Sequence, residues 1–589
     1  VSARLRLGPM LRHVSDTTAT VWVETGAPGR VEVIAGEQTA WSDTFTVHGH
    51  HYALCDVTGL APGSAVAYEV RLDGEVVWPE PSSPYPPSLL CTVDHEAPAR
   101  IVFGSCHTPT DHSPSAVLHY GVDMLRAFAL RLVDDRRSPG SRAAGDDGAG
   151  VQRTGGDLGG GEPDLLLMVG DQVYADELQP AMRAFVQARR EEAGDGDAGP
   201  PPDEVVFYDE YAELYRQAWS DPDIRWLMST VPTLMIFDDH DIRDDWNTSG
   251  AWQRMMAERP WWGPRVTSGL GAYWVYQHLG NLSPAARAAD PVLAEIRAHG
   301  GDAAELVDAF AWRTHTRPAS YRWNYRYDIG RNRIVVMDTR CSRDVADDSM
   351  RSILGGDGYA WLDEQLTGDV DHLVIASTLP FLMPMGVHYM EAWNEAVCAG
   401  AWGRLARRPA ERLRQRIDLE HWPAFQRSFK AVGDSVLSVA SGERGAAPAT
   451  ILFLGGDVHF SYLTRALPVD SEVRRLAART RIVQLVCSPT CNWMQPTLRR
   501  LMWVSVRSVT GLVFRLIARS AGVRPPALRW AVDDGPWYDN ALATVTLDGR
   551  DAEVQWEHSP IMKRTLEELG PGQAVRPKIR RLTKFRLTG

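Results

Sequence analysis

Leu165-Leu166-Leu167-Met168-Val169-Gly170-Asp171-Gln172-Val173-Tyr174-Ala175-Asp176 is the stretch on which the fold turns. The apolar run predicts a buried strand, and the glycine after it lets the chain turn sharply. That turn sets Asp171 at the strand end, where both carboxylate oxygens can bridge two cations. Such a bridge would let two metals share the charge that builds on phosphoryl oxygens during in-line displacement. Taken alone, a Gly-Asp after a strand is equally well read as a turn or helix cap.

The pattern recurs on both sides of this stretch. Strands are predicted at Ile101-Val102-Phe103, Leu165 to Val169, Leu234 to Phe237, Ile334 to Met337, Leu373 to Ala376, Ile451 to Leu454 and Ile482 to Val486. Five of them run into polar residues: Ser105-Cys106-His107, Gly170-Asp171, Asp238-Asp239-His240-Asp241, Asp338, and Gly456-Asp457-Val458-His459. Longer helical segments alternate with these strands, as in Val205 to Trp219 and Tyr359 to Leu366, which is the α/β signature. Acids, His and Cys gathered at strand ends are what an active site at the carboxyl edge of a sheet requires.

The residue types point to metal chemistry. Asp238 to Asp241 offers carboxylate oxygen for a hard cation, and an imidazole, His240, that can bind metal or give a proton to a leaving alkoxide. Asp457 and His459, two apart, are expected to point the same way along a strand-like exit. Cys106 alone reads as a buried thiol. The Cys487 to Cys491 spacing lacks a second pair and reads as a strand end rather than a metal knuckle. His107, His112 and His119 stay unassigned, and His388 is the loose histidine expected nearest the site. Trp246, Trp252, Trp261 and Trp262 read as core or as rim packing.

Residues 1–95 differ from the rest, with short Val- and aromatic-rich segments such as TATVWVE and VAYEVRLDG between Gly, Pro and Asp. They predict a small all-β sandwich. Gly59 to Gly63 followed by Tyr68 resembles a fibronectin type III tyrosine corner, with the phenol tied to its own preceding loop. A Pro-rich linker, 79–87, leads into a catalytic domain over 96–560, and 561–589 reads as a basic C-terminal tail. Asp134 to Pro163 and Glu191 to Pro202, dense in Gly, Pro, Asp and Ala, read as surface insertions without chemistry.

Composition narrows the function classes. A net charge of −13, from 62 Lys and Arg against 75 Asp and Glu, disfavours nucleic acid as a partner. Seven cysteines without framework spacing fit reduced thiols and a cytoplasmic location. Val1 to Met10 has no secretory h-region, and no apolar run reaches the length of a membrane span.

FGSCH (103–107), VGDQVYAD (169–176), FDDHDIRDDW (237–246) and LGGDVHFSYL (454–463), in this order after a small β domain, resemble the PhoD-type alkaline phosphatases, a branch of the calcineurin-like metallophosphoesterases. The resemblance spans nearly the whole chain. It implies a metallophosphoesterase-like β-sandwich core flanked by helices, preceded by a fibronectin type III-like domain. It also implies a site of Fe3+ and Ca2+, with a cysteine and a tyrosine among the iron ligands, positions filled here by Cys106 and Tyr174. Thiolate and phenolate suit ferric iron, whereas Asp239 and Asp457 suit calcium. His459 completes the expected metal set with Asp171, and His240, Asp171 and Arg243 are the expected catalytic residues. PhoD relatives often carry asparagine where this chain reads Arg243-Asp244-Asp245, so either acid can be the calcium ligand. Arg243 can hold a phosphoryl oxygen or pair with an acidic neighbour.

The expected reaction is metal-dependent hydrolysis of a small-molecule or lipid phosphate ester, with His240 or His459 handling a proton. A phospholipase D-type phosphodiesterase acting at membranes is the nearest alternative, and a non-catalytic scaffolding protein the more distant one. Residues 473–532 bear on the former: the window holds eleven arginines and no Asp or Glu. Within it, 496–523 predicts an amphipathic helix that either packs over the catalytic sheet or, with the basic stretch Arg576 to Arg586, makes peripheral contact with an anionic membrane.

Overall fold

The computed structural model describes residues 4–138, 151–152, 162–194, 199–346, 350–494, 499, 502, 508–561, 563–569 and 573–588. Two sheets stack face to face. The first has six strands in the order Thr233–Ile236, Leu165–Val169, Ala99–Gly104, Ala541–Asp548, Asp551–His558 and Arg580–Arg586. The second has seven, Tyr325–Ile329, Asn332–Met337, His372–Ser377, Thr450–Gly455, Arg481–Val486, Ser461–Pro468 and Leu528–Trp537. All seven strands expected from the sequence are present.

Side-chain alternation builds the layers. Ile334, Val336, Val374, Ala376, Leu452 and Leu454 join the core shared with the first sheet's Ile101 and Leu166. Their neighbours Val335, Met337, Leu373, Ile375, Ile451 and Phe453 turn the other way, into a second core that includes Phe429 and Val436 of the Gln426–Ala440 helix. Truncating any one of these leucines or isoleucines to alanine removes buried area and leaves a cavity, at about 2 to 5 kcal/mol. Three strands of the first sheet, 99–104, 165–169 and 233–236, are parallel to one another. Four strands of the second are parallel too, 332–337, 372–377, 450–455 and 481–486. Parallel pairing delivers their carboxyl ends to one edge, which is how sequence-distant acids meet.

The N-terminal all-β unit has its own core, around Val21, Val33, Ala53 and Val70. One face docks against the catalytic unit through a polar seam. Trp22 Nε1 donates to the Val275 carbonyl at 3.0 Å. Tyr52 Oη lies 3.2 Å from Tyr208 Oη and 3.1 Å from Tyr276 Oη, and Tyr276 Oη donates to Glu24 at 2.9 Å. His50 sits between Glu24, 2.9 Å away, and Asp209, 3.4 Å away. Burial opposes a charge on His50, but its hydrogen bonds to Asp209 and Glu24 outweigh that and raise its pKa to about 9. A π-helical turn, Trp274–His278, carries Val275 and Tyr276 into this seam.

Two expectations change. Tyr68 Oη donates to the Ser229 carbonyl at 2.7 Å, so it fastens the β unit to the catalytic unit rather than to its own loop. The stretch 561–589 is not a tail: Arg580–Arg586 pairs antiparallel with Asp551–His558 and completes the first sheet. Two of its basic residues pair across the strands, Lys584 with Glu553 and Arg586 with Asp551, while Arg580 and Arg581 are exposed. The helix expected over 496–523 is described at Ser508–Ser520, while Pro496, Leu498, Leu501 and Arg507 lie outside the described residues. Most of the expected Asp134 to Pro163 insertion also lies outside them; Val151–Gln152 pairs with Ser64 and Ala65 of the β unit. All seven cysteines are buried and none forms a disulfide.

Candidate active site

Sharp exits from the parallel strands aim the side chains inward. Cys106, Asp171, Asp457 and His459 all have positive φ, from 50° to 65°, and so does Asp245. Non-glycine residues in this region are strained by about 1 to 3 kcal/mol each and persist where the surroundings over-determine them. Here that strain follows the strand ends that bear the acids, the thiol and a histidine. Asp457 and His459 therefore leave their strand through consecutive bends rather than an extended exit. Gly170 is required twice over: its φ is +100°, and a Cβ there would come 2.8 Å from Cβ of Asp238.

Oxygens of Asp171, Asp238, Asp239 and Asp457 lie within 4.8 Å of one another. Asp171 and Asp238 are completely buried. Asp171 Oδ1 and Asp238 Oδ2 have no hydrogen-bond partner among the described residues. Arg340 stands among these acids, bonding Asp238 through Nε, Asp239 at 3.1 Å and Glu420 at 2.6 Å, with Asp457 at 3.7 Å. Arg343 shares Glu420 at 2.8 Å, and these two guanidinium groups cannot neutralise four carboxylates and Glu420 together. Burial first, then the Cys106 and Asp238 charges, pushes the Asp171 carboxyl well above its usual range.

On the other side of Asp171 lie softer donors. Cys106 Sγ is 3.3 Å from Asp171 Oδ2, with Ser105 and Ser488 hydroxyls each 3.2 Å from the sulfur. Tyr174 Oη is 3.4 Å from His459 Nε2. Burial raises the Cys106 thiol to about 12 and lowers His459 to about 4. Asp171 is thus shared between a thiol-bearing group and a carboxylate group. An acceptor-rich, under-neutralised cluster with buried unpartnered oxygens fits cations, and the thiol, phenol and imidazole beside it fit a softer ion than the carboxylates do.

His240 Nδ1 lies 2.9 Å from Asp176 Oδ1, and its ring packs 4.6 Å from that of Tyr174. Burial disfavours its charged form, but Asp176, Asp239 and Asp171 prevail and hold its pKa well above the usual value. Arg243 forms an ion pair not with an adjacent acid but with the sequence-distant Glu204, which also binds Arg265. The Arg243 guanidinium additionally lies over the Trp261 ring. Trp246, Trp252 and Trp262 are core residues.

Some expected residues fall elsewhere. His388 is buried against Tyr389, Phe429 and Trp530, 4.9 to 5.2 Å between ring centroids, and belongs to aromatic packing rather than to the site. Asp338 accepts backbone N–H groups of Arg340, Cys341 and Ser342, shaping the turn that presents Arg340. Asp241 likewise accepts the Asp238 N–H at 2.9 Å and the Gln277 side chain at 3.1 Å. The Cys491 carbonyl accepts the Thr108 N–H and its own N–H donates to the Cys106 carbonyl, a backbone role.

Arg340, Glu420 and the Glu391–His421 pair that holds Asp457 went unforeseen. His421 bridges Glu391 at 2.8 Å and Asp457 at 3.2 Å. Arg340 stands two residues past a flagged strand end and could have been found. Glu420 and His421 lie in a loop between helices, where no strand ending marks them.

Residues 150–497 match the family described as PhoD-like phosphatase, and residues 2–90 match a domain of unknown function, DUF7800. No curated protein matches the chain by sequence. A solved structure titled "Structure of PhoD" aligns over 99% of this chain and 90% of its own length with a TM-score of 0.55 at 12% identity, a likeness of fold. The type III pullulan hydrolase from Thermococcus kodakarensis aligns over 94% of each chain at 10% identity, but its TM-score of 0.14 is too slight to bear on the fold. The matched family segment is more than half of the chain and holds Asp171, the Asp238 to Asp241 turn and the Asp457 to His459 turn. On that match, the chain belongs to the PhoD-like phosphatase family.

Proposed function

We propose that the protein is a metal-dependent phosphoesterase whose reaction centre is the buried carboxylate cluster. The observation that carries the reading is the convergence of Asp171, Asp238, Asp239 and Asp457 within 4.8 Å, with buried carboxylate oxygens left unpartnered. Cys106, Asp171, Tyr174 and His459 would hold ferric iron, and Asp171, Asp239 and Asp457, joined by Asp238, would hold calcium. Bound there, the cations would neutralise charge on the phosphoryl oxygens and raise the acidity of an attacking water. The protein's own groups do the rest. Asp176 orients His240 and favours its protonated form, so its Nε2 edge, 3.9 Å from Asp244, is suited to give a proton to the leaving alkoxide. Arg340 fixes Asp238 and Asp239, and the Glu391–His421 pair fixes Asp457. Substrate is a phosphate ester, monoester or diester.

Metal analysis of the purified protein, combined with hydrolysis of chromogenic mono- and diesters before and after chelation, tests this. Iron and calcium that leave with the activity, and a visible absorption band that Tyr174→Phe removes or shifts, are the expected results. A colourless active enzyme would overturn the iron assignment, and full activity after exhaustive chelation would overturn the metal-dependent reading itself.

A further inference from the structure

The Met385–Cys398 helix carries Glu391, which fixes His421 beside Asp457. Two further helices pack on it, Arg404–Arg416 and Ser508–Ser520.

The Ser508–Ser520 helix turns its small residues inward. Gly511 is buried so closely that a Cβ there would come 3.0 Å from Cβ of Met385, and Ala518 is buried as well. Its outward stripe is apolar: Val509, Leu512, Val513 and Leu516 are 73%, 59%, 49% and 57% exposed. These positions follow the i, i+3, i+4, i+7 spacing of one helical face. Helices in water put such a stripe into a core, and among the described residues nothing covers this one.

The adjoining Arg404–Arg416 helix supplies charge. Arg404, Arg408 and Arg412 are exposed at i, i+4, i+8, and Leu405, on the face shared with Arg408 and Arg412, is 94% exposed. Trp402 joins the two helices, its indole N–H donating to the Ser520 carbonyl at 3.4 Å while the ring remains 46% exposed. Arg519 is exposed at the same end. A basic apolar surface with a tryptophan at its edge stands out on a chain of net charge −13.

We propose that this two-helix surface docks the protein on an anionic lipid bilayer, with the apolar stripe in the headgroup boundary and the arginines among lipid phosphates. No described helix is long and apolar enough to cross a membrane, so the contact is in the plane of the interface. Charge selects this occupant over a second copy of the chain. An isologous dimer through the same patch would set arginine against arginine, whereas an anionic surface complements every one of them. Trp402 adds a side chain suited to the boundary between headgroups and acyl chains.

Sedimentation of the full chain with vesicles of phosphatidylcholine alone, and of phosphatidylcholine mixed with phosphatidylglycerol, at low and moderate salt, tests the proposal. Expected is salt-sensitive binding to the anionic vesicles only. It should fall on the order of ten-fold or more both in Arg404→Gln/Arg408→Gln/Arg412→Gln and in Leu512→Asp/Leu516→Asp. None of these residues belongs to the catalytic site, so hydrolysis of a soluble chromogenic monoester should be unchanged in both variants. That assay separates failure of docking from failure of the phosphoesterase reading. Absence of anionic-vesicle binding, or equal binding to both vesicle types, would overturn the proposal. So would a lipid-free dimer, seen by sedimentation velocity, that Leu512→Asp/Leu516→Asp dissolves while vesicle binding is absent.

Discussion

The acidic edge of the catalytic sheets and the seam under the N-terminal β unit both bury polar groups, and they resolve the cost in opposite ways. In the seam, Trp22, Tyr52, Tyr276, Glu24 and His50 each find a partner within ordinary hydrogen-bonding distance. At the edge, Asp171 and Asp238 keep oxygens that nothing in the described protein satisfies. A buried unmatched oxygen costs about 1 to 3 kcal/mol, more for a charged group. The seam is therefore built for stability, and the edge gives up stability so that something else can be bound.

Substitution should separate the two regions, beginning where the effect is largest. Asp171→Asn should cut hydrolysis on the order of a thousand-fold or more and strip bound metal, while Tm measured in chelator equals or exceeds that of the parent. A Tm that drops in chelator, with activity retained, would make Asp171 a structural residue like those of the seam. Trp22→Ala should show the mirror image. Loss of the buried indole should destabilise by about 3 to 5 kcal/mol in denaturant unfolding, with KM for a soluble ester little altered in the molecules that remain folded.

The next test sharpens the contrast through pH. His50 titrates at about 9 in the folded protein against an ordinary 6.5, so its contribution is fully present below pH 6.5 and is lost as pH rises through 9. Compared with His50→Gln, the parent should hold an advantage on the order of 2 to 3 kcal/mol at pH 6 that fades by pH 10. A constant difference across that range would show that the Glu24 and Asp209 contacts do not depend on a charged imidazole. The smallest effect is expected at the rim. Arg243→Gln removes a partner that Glu204 can replace with Arg265, so it should change stability by less than about 1 kcal/mol and activity by a few-fold at most. A loss of about a hundred-fold in rate would instead restore Arg243 as a phosphoryl-oxygen ligand.

The two regions also differ in how far the sequence discloses them. The edge is made by local rules: an apolar run, a glycine and an acid declare a strand and its end, so Cys106, Asp171, Asp239, His240, Asp457 and His459 could all be named before any fold was known. What escapes is whatever arrives from irregular chain, such as Glu420 and His421, or turns on which of two partners an arginine meets, as with Arg243. The seam is almost invisible beforehand, because Trp22 and Tyr52 look like any alternating strand residues until the π turn is set against them. The Arg580–Arg586 strand was hidden for a related reason. Its run of basic residues resembles a loose tail, and only backbone pairing with Asp551–His558 makes it part of a sheet.

The π turn at Trp274–His278 has a consequence for phase. Val275 and Tyr276 meet Trp22 and Glu24, while the next residue, Gln277, reaches Asp241 with its side chain and accepts from Arg12 with its carbonyl. A π turn amounts to one residue more than an α-helix needs, and each residue advances a helix by about 100°. Deleting one residue here would restore α periodicity and rotate one set of contacts away from its partners while the other stayed in place. The extra residue acts as a timing element that keeps the β unit and the loop bearing the catalytic acids in step, so insertions or deletions in this short helix should be far less tolerated than its distance from the carboxylates suggests.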